Sequence, residues 1–233
     1  MDTDHENASG AVQEKRKPRL TRAEKSIVTK ERLFRAAAQV VGEHGYANAT
    51  VALITTRADV AQGTFYNYFE SRQDLFDELL PSLGAELLDY IRARTAAVRG
   101  AEEKERQGFV AFFEFLKQRP EFYRILYEAE LFAPQAYQRH VSVILESYVR
   151  LLERAFGRGE LCLATKEQIE PIALSLMAAR QYICMHYAWR DGKVIDLPGW
   201  VVDAYMAMIG HGIFERPSNR TIRERRSRKP DEG

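Results

Sequence analysis

The side chains best suited to chemistry are gathered in one short segment of this 233-residue chain. Residues 50–69 read Thr-Val-Ala-Leu-Ile-Thr-Thr-Arg-Ala-Asp-Val-Ala-Gln-Gly-Thr-Phe-Tyr-Asn-Tyr-Phe. The amides of Gln62 and Asn67 and the hydroxyl of Thr64 can pair with the donors and acceptors on base edges in the major groove of DNA. These residue types at this spacing predict that Gln62, Thr64 and Asn67 contact bases.

Two short helices joined by a tight turn would present these side chains outward. Thr50 can cap the first helix, predicted over residues 51–57, because its hydroxyl can accept an unpaired amide proton. The corner is predicted at residues 58–60, and the second helix over 61–67 with Phe65 facing inward. The apolar positions of the first helix fall at helical spacing on one side: Leu53, Ile54 and Ala58.

This segment resembles the DNA-binding domain of the tetracycline-repressor (TetR) family, whose signature runs roughly Thr-x3-Ile-Ala-x2-Ala-Gly-Val-Ser-x-Gly-x2-Tyr-x-His-Phe-x2-Lys-x2-Leu. At the matching places the chain has Thr50, Ile54, Ala58, Val60, Gly63, Tyr66, Phe69 and Leu75. It departs from the signature at Thr55 for Ala, Asp59 for Gly, Ala61 for Ser, Tyr68 for His and Arg72 for Lys. The resemblance implies a bacterial transcription regulator.

The resemblance also implies roles for single residues in binding DNA. Tyr66 would hold a phosphate through its hydroxyl, with Thr50, Tyr68 and Arg72 as further backbone contacts. Gly63 would permit close approach of the helix to the DNA backbone or to the first helix of the domain. Thr55, with Thr56, is a modest substitute for the base-reading arginine that some members carry at the position of Ala52.

Charge is distributed unevenly along the chain, although the formal net charge is only +1. Residues 15–72 carry eleven basic and five acidic side chains, and residues 216–229 carry seven and one, so the remainder is acidic. This pattern is typical of a DNA-facing module attached to an acidic body. In the N-terminal arm, Arg19 and Arg22 could enter the minor groove, or could attract phosphates without sequence preference. The C-terminal run could equally be a solvating tail.

Hydrophobic periodicity predicts an all-α fold, in which a three-helix DNA-binding domain precedes a larger helical domain for ligand binding and dimerisation. The predicted divisions are a disordered basic arm (1–20), the DNA-binding domain (21–80, with the helix-turn-helix at 50–69), the effector and dimerisation domain (81–215) and a disordered basic tail (216–233). Gly45 should end the first helix, and Pro81 should kink or break the fourth near Leu80. Further helices are predicted over 101–118, 120–132, 134–156, 165–190 and 199–214, with no convincing β run.

A homodimer is expected, because two readers related by a twofold axis bind a palindromic operator far better than one binds a half-site. The last two helices carry apolar stripes that could form a four-helix bundle across the axis, although either stripe could instead be internal core. The stripes are Ile172, Leu176, Ala179, Ile183 and His186 in one helix, and Trp200, Ala204, Met208 and His211 in the other.

The middle of the chain is rich in aromatic residues accompanied by a few polar ones, which suits a pocket for an amphipathic organic effector. Ordinary core packing would produce the same pattern. The residues predicted to contact the effector are Phe112, Tyr123, Tyr127, Glu128, Tyr148, Arg180, Tyr182 and His186. Arg124 and His140 are further possible polar anchors.

Motifs for catalysis and for cofactor binding are missing from the sequence, which has no His-Glu-x2-His, Gly-x-Ser-x-Gly or glycine-rich phosphate loop. No enzyme activity, catalytic residue, cofactor or metal site is therefore expected. A metal site from Glu128, His140 and His186 is a weak alternative. The lack of a secretory signal and of a long apolar stretch predicts a cytoplasmic protein with no membrane partner.

The sequence thus predicts a ligand-responsive repressor that binds operator DNA and is released by a small amphipathic molecule. A helical protein-interaction module without DNA binding and a small helical enzyme remain the alternatives.

Overall fold

A computed structural model describes residues 21–163 and 165–211, with the side chain of residue 211 excluded. This part of the chain is almost entirely helical, which confirms the predicted all-α fold. The predicted arm (1–20, with Arg19) and the predicted tail lie outside it. The helices are α1 (Arg22–Asn48), α2 (Val51–Ala58), α3 (Gln62–Phe65), α4 (Arg72–Thr95), α5 (Ala101–Gln118), α6 (Glu121–Phe132), α7 (Pro134–Gly157), α8 (Ile169–Ile183) and α9 (Gly199–His211).

Helix α1 begins at a capping box. The Thr21 hydroxyl accepts from the Glu24 amide at 3.2 Å, and the Glu24 carboxylate accepts from the Thr21 amide at 2.7 Å. Gly45 interrupts the helix with φ 77°, where the sequence predicts its end. Four apolar residues of α1 are buried, Leu33, Ala37, Val40 and Val41, whereas Ile27 near its start is 60% exposed. Three apolar side chains from the segment that follows complete this core: Ile54, Phe65 and Phe69.

Helix α4 passes through Pro81 without a break, so of the predicted kink or break near Leu80 the break is wrong and the kink stays a prediction. Proline has no amide proton, and the carbonyl four residues earlier, on Asp77, therefore loses its helical partner. The Arg139 guanidinium of α7 donates to that carbonyl at 2.6 Å. This substitution of partner explains how a continuous helix can span residue 80, the predicted division between the two domains.

The segment after α7 differs from its prediction as a helix over 165–190. It comprises a 3-10 turn (Lys166–Gln168), α8, a π-helical turn (Cys184–Ala188) and a two-stranded hairpin. Strand β1 (Trp189–Arg190) pairs antiparallel with β2 (Lys193–Val194). Asp191 and Gly192 form the turn with φ of 48° and 76°, values that suit the Asp-Gly pair of a tight hairpin.

The two predicted dimer stripes differ in exposure. On α8, Leu176 is 8% exposed and belongs to the core, and Ile172, Ala179 and Ile183 are half-buried. On α9, Trp200 and Met208 are 61% and 41% exposed, and Ala204 between them is also exposed. The α9 stripe is therefore an apolar surface, whereas much of the α8 stripe packs inside the chain.

Candidate DNA-reading surface and effector cavity

Helix α3 is held in place by the buried rings of Phe65 and Phe69 and by the corner that precedes it. Phe65 is fully buried. Asp59 ends α2 in the left-handed conformation with φ 52°, which aspartate tolerates better than most residues, so glycine is not required here. The Arg32 guanidinium of α1 donates to the carbonyls of Ala58, at 2.5 Å, and Asp59, at 3.0 Å. Arg32 thus fixes the angle between α2 and α3.

The polar side chains of α3 and its following turn share one outward surface. Gln62, Tyr66 and Asn67 are exposed, and Thr64 and Tyr68 are half-buried. The exposed fraction of Tyr66 is 55%, although its ring packs edge-on against Phe65 at 5.3 Å. This surface can present two amides and several hydroxyls to a duplex. We call these five residues the reading surface.

Gly63 lies on the same exposed side. A side chain added at this position would meet no heavy atom within 4 Å, so the predicted close approach to helix 1 is wrong. Space remains for a DNA backbone there. The alternative role of Gly63, close approach to a phosphate, stays a prediction.

Thr55 cannot contact DNA as the sequence predicts. It is 3% exposed, and its hydroxyl donates to the carbonyls of Val51 at 2.9 Å and Ala52 at 3.2 Å. The position is internal to the domain, which explains why the family signature has alanine there. Thr56, the next residue, is exposed.

The remaining predicted phosphate contacts are exposed but already have local roles. The Thr50 hydroxyl caps α2 by accepting from the Leu53 amide at 3.2 Å. The Arg72 guanidinium lies 5.4 Å from the centre of the Phe76 ring and reaches the carbonyls of Ala47 and Ala49 at 3.4 Å. Arg22, in the first turn of α1, is exposed.

A cavity of about 510 Å³ lies between α4, α5, α6, α7 and α8. His140 and Arg154 both line it and lie fourteen residues apart on α7, so it extends about 21 Å along that helix at a rise of 1.5 Å per residue. Most of the cavity wall between these two residues is formed by aliphatic and aromatic side chains. These include Leu87, Ile91, Phe112, Leu126, Val141 and Ile144.

Cations collect at one end of the cavity. Arg92, Lys104, Arg150 and Arg154 all line it. Arg92 pairs with an exposed carboxylate on α4 at 3.1 Å, and Arg150 with one on α7 at 3.3 Å. Within residues 21–163 and 165–211, Lys104 and Arg154 form no ion pair within 4.0 Å, although the Lys104 charge helps to lower the pKa of Glu160, whose carboxylate pairs with Arg158. The cationic end therefore has positive charge available for an anionic ligand group.

The wall between α5, α7, α8 and α9 contains a buried charge pair. Arg180 donates to the Glu105 carboxylate at 2.7 Å, and the two residues are 7% and 8% exposed. The hydroxyls of Tyr148 and Tyr205 also donate to Glu105, and Arg180 donates to the Tyr148 oxygen. Burial raises the pKa of both phenols, which keeps them neutral. The pair is thus internally neutralised.

His140 occupies the opposite end of the cavity from the cations. Its ring lies against Phe122 at 5.9 Å between centroids and is seated on α4 at Gly84. Burial lowers the pKa of His140 to about 4, so the imidazole is neutral near pH 7. This end of the cavity is consequently uncharged, and its polar groups are the neutral His140 ring and the phenol of Tyr137, one turn earlier on α7.

A polar cluster outside the cavity joins α1 to α6. The Glu128 carboxylate accepts from the Tyr46 amide at 2.9 Å and from Arg124 at 2.7 Å. Arg124 also donates to the carbonyls of Gly42 and Glu43, at 3.2 Å and 3.0 Å. These groups satisfy the end of α1 where Gly45 breaks it, so α6 holds the DNA-reading domain directly.

Comparisons with known proteins agree with the geometry of the helix-turn-helix. The sequence model described as "Bacterial regulatory proteins, tetR family" matches residues 33–79, which span most of α1, all of α2 and α3, and the start of α4. Over these residues the chain has the DNA-binding domain of TetR-family regulators, as the sequence predicts.

Relatives and solved structures extend the likeness beyond the first domain. The chain is 23% identical over 164 residues, covering 70% of itself and 85% of the relative, to the HTH-type transcriptional regulator YhgD of Bacillus subtilis. It resembles the fatty acid degradation regulator FadR of Bacillus halodurans, with 23% identity, a TM-score of 0.64 and coverage of 81% and 97%. It also resembles FadR of Bacillus subtilis in complex with stearoyl-CoA, with 17% identity, a TM-score of 0.63 and coverage of 79% and 99%.

Of the predicted effector contacts, only Phe112, Tyr148 and Arg180 line the cavity. Tyr123 packs instead against the hairpin, with its ring 4.5 Å from that of Trp189. Glu128 is committed to the α1–α6 contact described above. The other three are exposed away from the cavity: Tyr127, Tyr182 and His186.

Sequence reasoning missed Glu105, Lys104 and Arg154, which lie in helices whose amphipathic pattern marks charged residues as solvent-facing.

The alternative metal site from Glu128, His140 and His186 does not form in this geometry. His140 lies in the cavity, whereas Glu128 and His186 lie elsewhere, and no cluster of three metal-ligating side chains occurs in the described ranges. Every helix in those ranges is too short or too polar to cross a membrane.

Proposed function

We propose that this TetR-family regulator is a repressor that binds a palindromic operator as a homodimer and leaves it when an amphipathic acyl molecule fills the cavity. It acts in the cytoplasm, by binding rather than by catalysis. The observation that carries the proposal is the position of an amphipathic cavity against α4, the helix that begins directly after the reading surface.

The shape and charge of the cavity favour a long apolar chain with an anionic head. The aliphatic middle would take the chain, and Lys104 and Arg154 would take the head group. Because Glu105 already neutralises Arg180, the wall offers no free charge for a buried carboxylate. FadR of Bacillus subtilis has been seen in complex with stearoyl-CoA, which makes an acyl-CoA thioester the ligand class to test.

Two reading surfaces would be brought together by the apolar face of α9. Trp200, Ala204 and Met208 recur at four-residue intervals and are exposed in the single chain. An exposed apolar face of this kind favours burial against a second copy, and α8 would flank it with the exposed Tyr182 and Met185. Twofold symmetry would then impose a palindromic operator.

On DNA, Gln62, Thr64 and Asn67 would read base edges, and Tyr66 and Tyr68 would hold phosphates. Thr50, Gly63, Arg72 and Arg22 would add backbone contacts around them. Ligand binding would be coupled to this surface through α4, because two α7 residues beside the cavity contact it: Arg139 at the Asp77 carbonyl and His140 at Gly84. If α4 can adopt two placements, a ligand that binds one of them more tightly shifts the population of molecules towards that placement.

Selection of bound fragments from random duplex DNA by the purified protein tests the DNA-binding part of the proposal. We expect palindromic sequences, and we expect the double variant Tyr66→Phe, Asn67→Ala to enrich none of them. Tyr127→Phe is the matched control, because Tyr127 is an exposed tyrosine on α6, away from the reading surface and from the cavity. Enrichment of sequences without twofold symmetry, or equal enrichment by the double variant, would contradict the proposal.

A further inference from the structure

His140 is a polar side chain without a hydrogen-bonding partner at the apolar end of the cavity. It is 6% exposed and lines the cavity wall. Among the described residues, none exchanges a hydrogen bond with its imidazole. Buried polar groups are nearly always paired, and an unpaired one costs free energy. A neutral imidazole at this place therefore indicates a partner that the chain itself does not supply.

The ring is fixed in orientation by α4. The position that a Cβ atom on Gly84 would occupy is 2.3 Å from Nδ1 and 2.6 Å from Cε1 of His140, so the ring fills space that only a glycine leaves free. Nε2 lies on the side of the ring farther from Gly84. Because the imidazole is neutral and Nδ1 packs against α4, Nε2 is the nitrogen left for a ligand oxygen, as donor or acceptor according to the tautomer.

The surroundings of His140 exclude an anionic partner. The nearby cavity wall is formed by Phe122, Leu126 and Leu87, with the phenol of Tyr137 one turn away on α7. At a rise of 1.5 Å per residue, Arg150 and Arg154 lie about 15 Å and 21 Å from His140 along α7, and Arg92 lies about 12 Å from Gly84 along α4. A carboxylate in this apolar region would lose its hydration without a counter-charge. A neutral oxygen would lose much less and would satisfy the ring.

We propose that the effector carries a hydroxyl or carbonyl oxygen at the end of its chain remote from the anionic head, and that His140 hydrogen-bonds to this oxygen. The inference rests on the proposed function, since it needs the head group at Lys104 and Arg154. It makes the cavity selective for an oxygenated chain over a saturated one. The bond would also form directly beside the α4 contact at Gly84.

Binding of palmitoyl-CoA and ω-hydroxypalmitoyl-CoA to the purified wild-type protein, measured by isothermal titration calorimetry, tests this proposal. We expect the hydroxylated ligand to bind about fivefold more tightly, which is the contribution of one hydrogen bond to an otherwise unpaired group. Equal affinity, or tighter binding of palmitoyl-CoA, would overturn it. If neither ligand binds, both this inference and the proposed acyl-CoA ligand are wrong.

Two variants assign the preference to a residue. In His140→Leu the ratio of the two affinities should fall to about one, because the polar partner is gone. In Arg154→Gln both affinities should fall together and the ratio should stay at the wild-type value, since the change lies at the cationic end. A preference that persists in His140→Leu would overturn the role of His140. The wild-type ratio remains decisive even if the His140 variant does not fold.

Discussion

Glu105→Gln should be among the most destabilising single substitutions in the effector domain. The change leaves the Arg180 guanidinium, 7% exposed, without its counter-charge, and it removes the carboxylate that accepts from Tyr148 and Tyr205. Breaking a buried pair by removing one partner costs about 3–5 kcal/mol. The glutamine oxygen can still accept one hydrogen bond, so we expect a loss of about 3 kcal/mol in the free energy of unfolding.

Urea unfolding followed by far-ultraviolet circular dichroism, at one fixed protein concentration, measures this loss. Glu114→Gln is the matched control on the same helix, because its partner Arg94 lies 2.9 Å away and the two side chains are 40% and 50% exposed. It should cost at most about 1 kcal/mol.

A double variant tests the reason for the loss. Adding Arg180→Met to Glu105→Gln removes the uncompensated charge and should recover about half of the destabilisation. The reasoning is refuted if Glu105→Gln is within about 0.5 kcal/mol of wild type. It is equally refuted if the double variant loses the sum of the two single losses.

Further substitutions test other parts of the structure. Arg32→Ala should loosen the corner between α2 and α3, lowering stability by about 1–2 kcal/mol in urea unfolding and weakening operator binding in gel shifts; unchanged values for both would contradict this role. Because burial lowers the pKa of His140 from 6.5 to about 4, its neutral form stabilises the fold fully above pH 6.5, and about 3 kcal/mol should be lost as the pH falls to 4. The free energy of unfolding of His140→Leu should not show this loss of about 3 kcal/mol between pH 6.5 and 4. If the variant and the wild type had the same pH dependence, His140 would not be a buried neutral ring. Replacing Arg154 by Gln should weaken stearoyl-CoA binding severalfold in calorimetry at low salt, and less at high salt; an effect independent of salt would argue against a charge contact.

The helix boundaries could largely be predicted from the sequence, because local signals determine them. The capping box at Thr21, the glycine at position 45 and the Pro134 start of α7 act over a few residues. The end of α8 at Ile183 could not be predicted in this way, because the helical spacing of apolar residues continues past it through Cys184 towards the hairpin. The Asp191-Gly192 pair is the signal that could have revealed the hairpin.

The reading surface was also largely predictable, since the residues of a helix-turn-helix lie close together in sequence. The cavity was not. Glu105 and Arg180 are 75 residues apart, and only the packing of α5 against α8 brings them together. Whether an aromatic side chain lines a cavity or fills a core likewise depends on long-range packing, which is why Phe112 and Tyr123 have different surroundings.

The continuity of α4 also could not be predicted from local sequence signals. Proline at position 81 predicts a kink or a break from local chemistry alone. The partner that replaces its missing amide, Arg139, comes from α7 and has no local signal in the sequence. Long-range contacts of this kind decide how the cavity could be coupled to the reading surface.

Fluorescence anisotropy of the full chain on a selected, labelled operator, titrated with stearoyl-CoA, tests most directly whether the cavity controls the reading surface. We predict that saturating ligand weakens operator binding at least tenfold. We also predict that the ligand binds the protein less tightly by the same factor when operator is present, as thermodynamic linkage requires. An operator affinity that does not change while stearoyl-CoA demonstrably occupies the protein would contradict this coupling.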